Sequence, residues 1–188
     1  MSLVSEFGPA LKITSERFQK MVEAGIFEED EHVELLEGVI VEMSPMSPRH
    51  AETIRRVQRY LSRIAGDRYL VNNQLPLDAD DLSLPEPDVA VTKVREFDED
   101  HPRASDVLLA VEASLSSISI DRGKARIYGR AGVPEYWLID IARRTVEVYT
   151  DPAEDGYRLI RIFGDTDALA PGFAPESPIE VFQLLPRR

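Results

Sequence analysis

The segment Val107–Asp140, VLLAVEASLSSISIDRGKARIYGRAGVPEYWLID, restricts the fold more than any other part of the chain. It reads as a buried strand, a loop, a helix and a second buried strand, which together make a β-α-β unit. VLLAVEA is apolar except for Glu112 at the strand's carboxyl end, and an ionised carboxylate there needs a partner, a metal or a proton. In the helix that follows, the apolar positions include Ile120, Ile127 and Ala131. Lys124 falls four residues after Ile120 and three before Ile127, so it shares their inward face. Upstream, Asp88 in LPEPDVAV stands just before a short apolar strand. Antiparallel pairing of that strand with Val107–Ala113 would set its start beside the other's end and bring Asp88 close to Glu112. Two acids and a lysine are then expected at one end of one sheet. Lys124 also has a plainer reading, in which its stem packs and its ammonium snorkels to water.

At 188 residues the chain is expected to form one domain, 1–188, with a flexible lead-in at 1–11 and a proline-broken tail at 172–188. The apolar end of that tail, Val181–Leu185, is expected to pack on the sheet or on a second copy of the chain. There is no apolar run of the roughly 18 residues a membrane span needs, so no membrane partner is expected. The first residues, MSLVSEFGPALKITSE, lack the basic and apolar regions of a secretory signal. The absence of cysteine excludes disulfides and thiolate-bound zinc and fits a cytoplasmic protein. A net charge of -12 argues against broad coating of nucleic acid but leaves room for a local basic stripe.

The remaining elements follow from pattern. ITSERFQKMVEAG reads as a helix capped by Thr14 or Ser15, burying Phe18, Met21 and Val22 and stopping at Gly25. HVELLEGVIVEMS reads as a hairpin turning at Glu37-Gly38, with Glu34 inside its first strand as either a solvent-facing carboxylate or a site residue. SPRHAETIRRVQRYLSRIAG is a helix with Ser47 as cap, Pro48 at its first position, Gly66 as stop, and Ile54, Val57, Leu61 and Ile64 as its buried stripe. His50 shares that face, as a structural hydrogen-bonder or a catalyst. Arg49, Arg56, Arg59 and Arg63 line another face at spacings of seven, three and four, ordinarily a solvated row but here the one candidate phosphate track. YLVNNQLPLDA reads as a strand containing Gln74, and VREFDEDHPRAS as a charged surface loop. ARRTVEVYT and YRLIRIF read as a hairpin around DPAEDG.

Two neighbouring carboxylates repel, and a divalent cation removes the conflict. Oxygen ligands without cysteine or a tight histidine cluster point to Mg2+ or Mn2+ rather than zinc. With a lysine to bind a phosphate or orient a water, the trio Asp88, Glu112 and Lys124 suits metal-assisted phosphodiester hydrolysis.

EPDVAV, LLAVEAS and DRGKARIYGRAGVPEYWLID followed by RTVEVY resemble the Uma family of restriction-type endonucleases, in the PD-(D/E)xK nuclease superfamily. ELLEGVIVEMSP and the histidine after it match the family's amino-terminal half, so the resemblance spans Thr14 to Tyr149. It implies an α/β fold: a mixed central β-sheet flanked by helices, a restriction-endonuclease-like core with an added β-hairpin. It also implies an endonuclease dependent on Mg2+ (or Mn2+), acting on DNA rather than RNA and working as a homodimer. By the same resemblance Asp88 is the first acid, Glu112 the second, and the Ala113 carbonyl a further metal ligand. Ser114 stands where the superfamily's usual lysine would be, and Lys124 looks like its migrated replacement. Glu34 and His50 match recurrent family positions and join the candidate catalytic set. The family's Glu-Val-Leu-Ser-Pro is here Glu112-Ala113-Ser114-Leu115-Ser116, a changed loop after the second acid. The alternative is a non-catalytic nucleic-acid-binding or protein-interaction module on the same fold.

Overall fold

The computed structural model describes residues 8–96 and 100–187; residues 1–7 of the expected lead-in at 1–11 and the middle of the charged loop at 97–99 lie outside them. In chain order the elements are α1 (Ser15–Glu23), β1 (Val33–Leu36), β2 (Val39–Glu42), α2 (Pro48–Ala65), β3 (Tyr69–Asn72), β4 (Val89–Lys93), β5 (Val107–Ser114), α3 (Ile118–Ala131), β6 (Glu135–Asp140), β7 (Thr145–Ala153), β8 (Gly156–Gly164), β9 (Ala168–Leu169), β10 (Ile179–Glu180) and α4 (Val181–Leu184). Strands β3 to β8 form one mixed sheet in sequence order, with β5 and β6 its one parallel pair. That pair is the β-α-β unit, with α3 as crossover. β4 runs antiparallel to β5, Val89 facing Val111.

Period-two alternation along the central strands feeds two cores on opposite faces of the sheet. Val89, Val91, Leu109, Val111, Trp137 and Ile139 pack with Ile54, Val57 and Leu61 of α2. Ala110, Tyr136, Leu138 and Tyr149 pack with Ala125 and Tyr128 of α3. A third, small cluster joins Phe18 of α1 to Leu35 of β1 and Leu84. β1 and β2 form a separate two-stranded sheet, turning at Glu37 and Gly38, both of which have positive φ, as the turn's hand requires.

α1 and α2 begin where the caps foretell: Thr14 accepts the amide of Arg17, and Ser47 accepts that of His50. Several expectations are corrected. Val22 is exposed, because α1 rests only on the small cluster and its second turn passes beyond it. Ile120 is exposed as well: it lines an open cleft beside Asp121 and Lys124, and the buried face is Asp121, Lys124, Ala125, Ile127 and Tyr128. β3 stops at Asn72, opposite Ala90, because β4 offers no partner before Val89; Gln74 sits in a bend with positive φ. For Val181–Leu185, of the two expected destinations the chain's own core is the one seen, with Phe182 left exposed. β10 pairs with β9 and turns the tail back, burying Val181, Leu184 and Leu185 in the α2-side core.

Candidate active site

Where β4 begins and β5 ends, strand alternation aims two acids the same way. Val111 and Ala113 belong to the α2-side core, so Glu112 projects toward α3. Val89 and Val91 do likewise, which turns Asp88 to the α3 side. α3 answers with Lys124 on its buried face, flanked at helical spacing by Asp121 and Tyr128. Alternation in β1 has the same effect: Leu35 packs on the small cluster, and Glu34 faces the other way, into the site.

The resulting network is tight. Nζ of Lys124 donates to Oε1 of Glu34 at 2.8 Å and to Oε1 of Glu112 at 3.0 Å, and the Tyr128 hydroxyl donates to that same Glu112 oxygen at 2.9 Å. Oδ2 of Asp88 accepts from Nε2 of His50 and from the Ala113 amide, both at 2.8 Å. Oε2 of Glu34 accepts the amide of Glu86 at 3.2 Å. Glu34, Asp88, Glu112 and Lys124 are each only 4–5% exposed. Lys124 is therefore not snorkelling; its ammonium is a buried charge fixed between two carboxylates. The hairpin that carries Glu34 is fastened to α3 a second time, by Arg126 and Arg130 on Glu37, and Arg130 also holds Asp80 in the segment before β4.

Charge balance shapes the titration of these groups. Burial pushes Glu112 well above the usual carboxylate range; Lys124 opposes this, while Asp88, Asp121 and Glu34 reinforce it. Burial alone would push the Lys124 ammonium down, but Glu112 and Glu34 outweigh it and hold the amine protonated far above its ordinary range. Glu86 is raised by burial and by Glu34. The cleft thus sets the carboxyl groups of Glu34, Asp88, Glu112 and Asp121 against one lysine.

The donor set fits a hard divalent ion. No hydrogen bond among the described residues reaches Oδ1 of Asp88 or Oε2 of Glu112, and both residues line one cleft with Lys124, Glu34 and His50. The amide of Ala113 points at Asp88, and in a strand a residue's carbonyl faces the same side as its amide. Among the described residues no group of three or more His, Asp and Glu is placed to hold a metal ion. Two carboxylates with open positions suit Mg2+, which keeps several waters, better than a dedicated all-protein site.

His50 is part of this constellation through Asp88, whose hydrogen bond raises the imidazole's pKa against the opposing effect of burial. The pair's contribution to stability is then complete below the ordinary histidine value near 6.5 and fades as pH rises through the higher folded value. An NMR titration of His50 is expected to show a midpoint above about 6.5, and Asp88→Asn should return it toward that value.

Of the arginine row, Arg49, Arg59 and Arg63 are exposed, with Arg59 also lying over the Tyr60 ring; Arg56 is half-buried and held by Glu52 at 2.7 Å. Sequence reading missed Tyr128 and Asp121. Both were signalled by their places four residues after and three before Lys124 on one helix face. Asp121 accepts from the Ser117 hydroxyl at 2.7 Å and lines the cleft. Glu86, two residues before Asp88, was missed too, and nothing in its local pattern distinguishes it from a surface acid.

Comparison with known proteins bears on the fold and the family. A crystal structure described as a "putative nuclease belonging to DUF820" from Anabaena variabilis matches with a TM-score of 0.72 at 21% identity, over 92% of this chain and 97% of that one. At that identity the likeness is one of fold, a nuclease-like mixed α/β sheet. No curated protein matched the chain. The model of the Uma2 family, described as "Putative restriction endonuclease", matches residues 15–179, nearly the whole length, and the chain belongs to that family.

Proposed function

We propose that this protein is a Mg2+- or Mn2+-dependent endonuclease that hydrolyses phosphodiester bonds in DNA. The observation that carries the reading is the placement of Lys124, buried and bonded to Glu34 and Glu112 within the cleft that Asp88 lines. Asp88, Glu112 and the Ala113 carbonyl would hold the metal, which supplies charge stabilisation at the phosphate and a more acidic water. Lys124 places a fixed positive charge where negative charge develops on the phosphate, in surroundings too dry to screen it. Glu34 and Tyr128 keep Lys124 and Glu112 from collapsing onto each other in another geometry. His50 orients Asp88 and, at the mouth of the cleft, can pass a proton to or from solvent. His50 and Asp88 also border a larger groove along Phe27, Met43, Met46 and Glu86, which gives substrate a way in.

Arg49 adjoins His50 in sequence, so the exposed arginines of α2 run outward from the cleft and offer contacts to successive phosphates. Their effect is expected to be sequence-independent and salt-sensitive.

The test is plasmid nicking with a metal titration. Wild-type protein should bind Mn2+ and nick DNA. Asp88→Asn should lose metal binding and at least about a thousandfold in rate, the scale of several kcal/mol of transition-state stabilisation. Wild-type protein that binds DNA yet cuts under no divalent metal would overturn the reading in favour of a non-catalytic binding module.

A further inference from the structure

The two edges of the central sheet are built differently. β3 is four residues long, and α2 packs against it. β8 is nine residues long, and every residue from Arg158 to Ile162 is exposed. Leu159, Ile160 and Ile162 stand 58%, 54% and 66% open to solvent. Pairing with β7 uses one side of β8, and no strand among the described residues takes the other.

Proteins blunt such edges with short strands, proline, bulges, a covering loop or charged side chains. Of these β8 has only charge, in the exposed Arg158 and Arg161. It contains no proline, and its ladder to β7 runs from Gly164 to Gly156 without a shift in register. Its apolar residues fall on both faces: Ile160 and Ile162 lie opposite Tyr149 and Glu147, and Leu159 opposite Thr150.

We propose that β8 is a homodimer interface, pairing antiparallel with β8 of a second copy about a two-fold axis and joining the two sheets into one. Three observations favour a second copy as occupant. The first is area. Nine residues at about 3.4 Å each, with side chains standing off both faces of the seam, give a two-copy interface on the order of 1,000 Å2, which is the size a specific interface requires.

The second is register. With the axis at Ile160, Leu159 lies opposite Arg161 and Arg158 opposite Ile162, so each guanidinium covers a branched apolar side chain. Moving the axis one residue along, to Arg161, sets the two Arg161 guanidinium groups face to face, where like charges repel. The strand's own sequence thus selects one self-pairing over its neighbour. The third is that the other candidate surface, the apolar tail, has Val181, Leu184 and Leu185 in the chain's own core and leaves only Phe182 open.

Antiparallel pairing turns the second sheet end over end. The two Asp88–Glu112 sites then lie at opposite rims of the joined sheet, with their β5 strands seven spacings or about 34 Å apart. On the nuclease reading, each site cuts one strand independently, giving nicks in place of concerted double-strand breaks. The dimer itself does not depend on that reading.

Sedimentation velocity across a dilution series tests the interface. Wild-type protein should run as a dimer that dissociates on dilution. Ile160→Lys, which sets two ammonium groups face to face at the axis, should weaken association about thirtyfold or more, the scale of a central interface residue. Its circular dichroism and thermal midpoint at high dilution should match wild type, because Ile160 is mostly exposed in the single copy. In hydrogen exchange, β8 amides should be slow in the concentrated wild type and fast in the variant. A wild-type protein that stays monomeric, or an Ile160→Lys protein that dimerises as tightly as wild type, would overturn the proposal. Either outcome leaves the Asp88→Asn nicking test unaffected.

Discussion

Replacing Lys124 with methionine is expected to cost about 3–5 kcal/mol of stability at neutral pH, the penalty for removing one partner of a buried ion pair. The substitution keeps the stem's apolar volume and deletes only the charge. Glu34 and Glu112 then face each other in a site 4% exposed, with no counter-ion between them. Carboxylates in that position take up protons, and Glu112 is already displaced upward by burial. An acid whose folded pKa lies above its unfolded one adds stability below the unfolded value and loses it as pH rises through the folded value. The loss in Lys124→Met should therefore be largest near pH 8 and shrink toward pH 5, the reverse of ordinary acid denaturation. Urea melts at the two pH values measure it directly. An equal loss at both would mean the ammonium contributes packing alone, and the assignment of Lys124 as the site's fixed charge would fall with it. Cleavage should be lost at either pH.

The reverse pH slope also bears on why the site was legible in the sequence. A glutamate in an otherwise apolar strand, a lysine in step with Ile127, and an aspartate just ahead of a strand each break a pattern that the surrounding residues keep. The structure places all three breaks at one end of one sheet. What local pattern could not supply is how the separate hairpin docks. Glu34 alternates with Leu35 like any half-buried strand residue, and it faces Lys124 only because Arg126 and Arg130 hold Glu37 against α3. That contact joins residues about 90 positions apart, which no window of periodicity reaches. Ile120 misled for the opposite reason: it obeys the helical repeat, but its side of the helix opens onto the cleft. For the tail, local pattern marked an apolar segment but could not choose between the sheet and a second copy as what covers Val181, Leu184 and Leu185.

The second large effect is expected from a glycine on the same helix. A Cβ at Gly129 would lie 2.1 Å from the carbonyl oxygen of Gly156, at the turn where β7 leads into β8. Both sides of this contact are backbone, so no rotamer change relieves it; the hairpin or the helix has to move. Helix propensity argues the other way, since alanine is favoured over glycine in a helix interior by about 1 kcal/mol. The clash should win. Overpacking typically costs 1–3 kcal/mol, and a rigid backbone contact belongs at or above the top of that range, leaving Gly129→Ala destabilised by about 2 kcal/mol or more. For a chain of this size that is a fall of roughly 4–8 °C in Tm. Gly123 provides the control. It lies in the same helix, is exposed, and a Cβ there meets nothing within 4 Å. Gly123→Ala should therefore show the propensity term alone and raise the Tm by about 2–4 °C. Opposite signs for two identical substitutions six residues apart follow only if α3 is seated on the β7–β8 turn at Gly156. That seating also fixes the depth at which Lys124 enters the cleft, so Gly129→Ala should lower cleavage at temperatures where it is still folded, while Gly123→Ala should leave it unchanged.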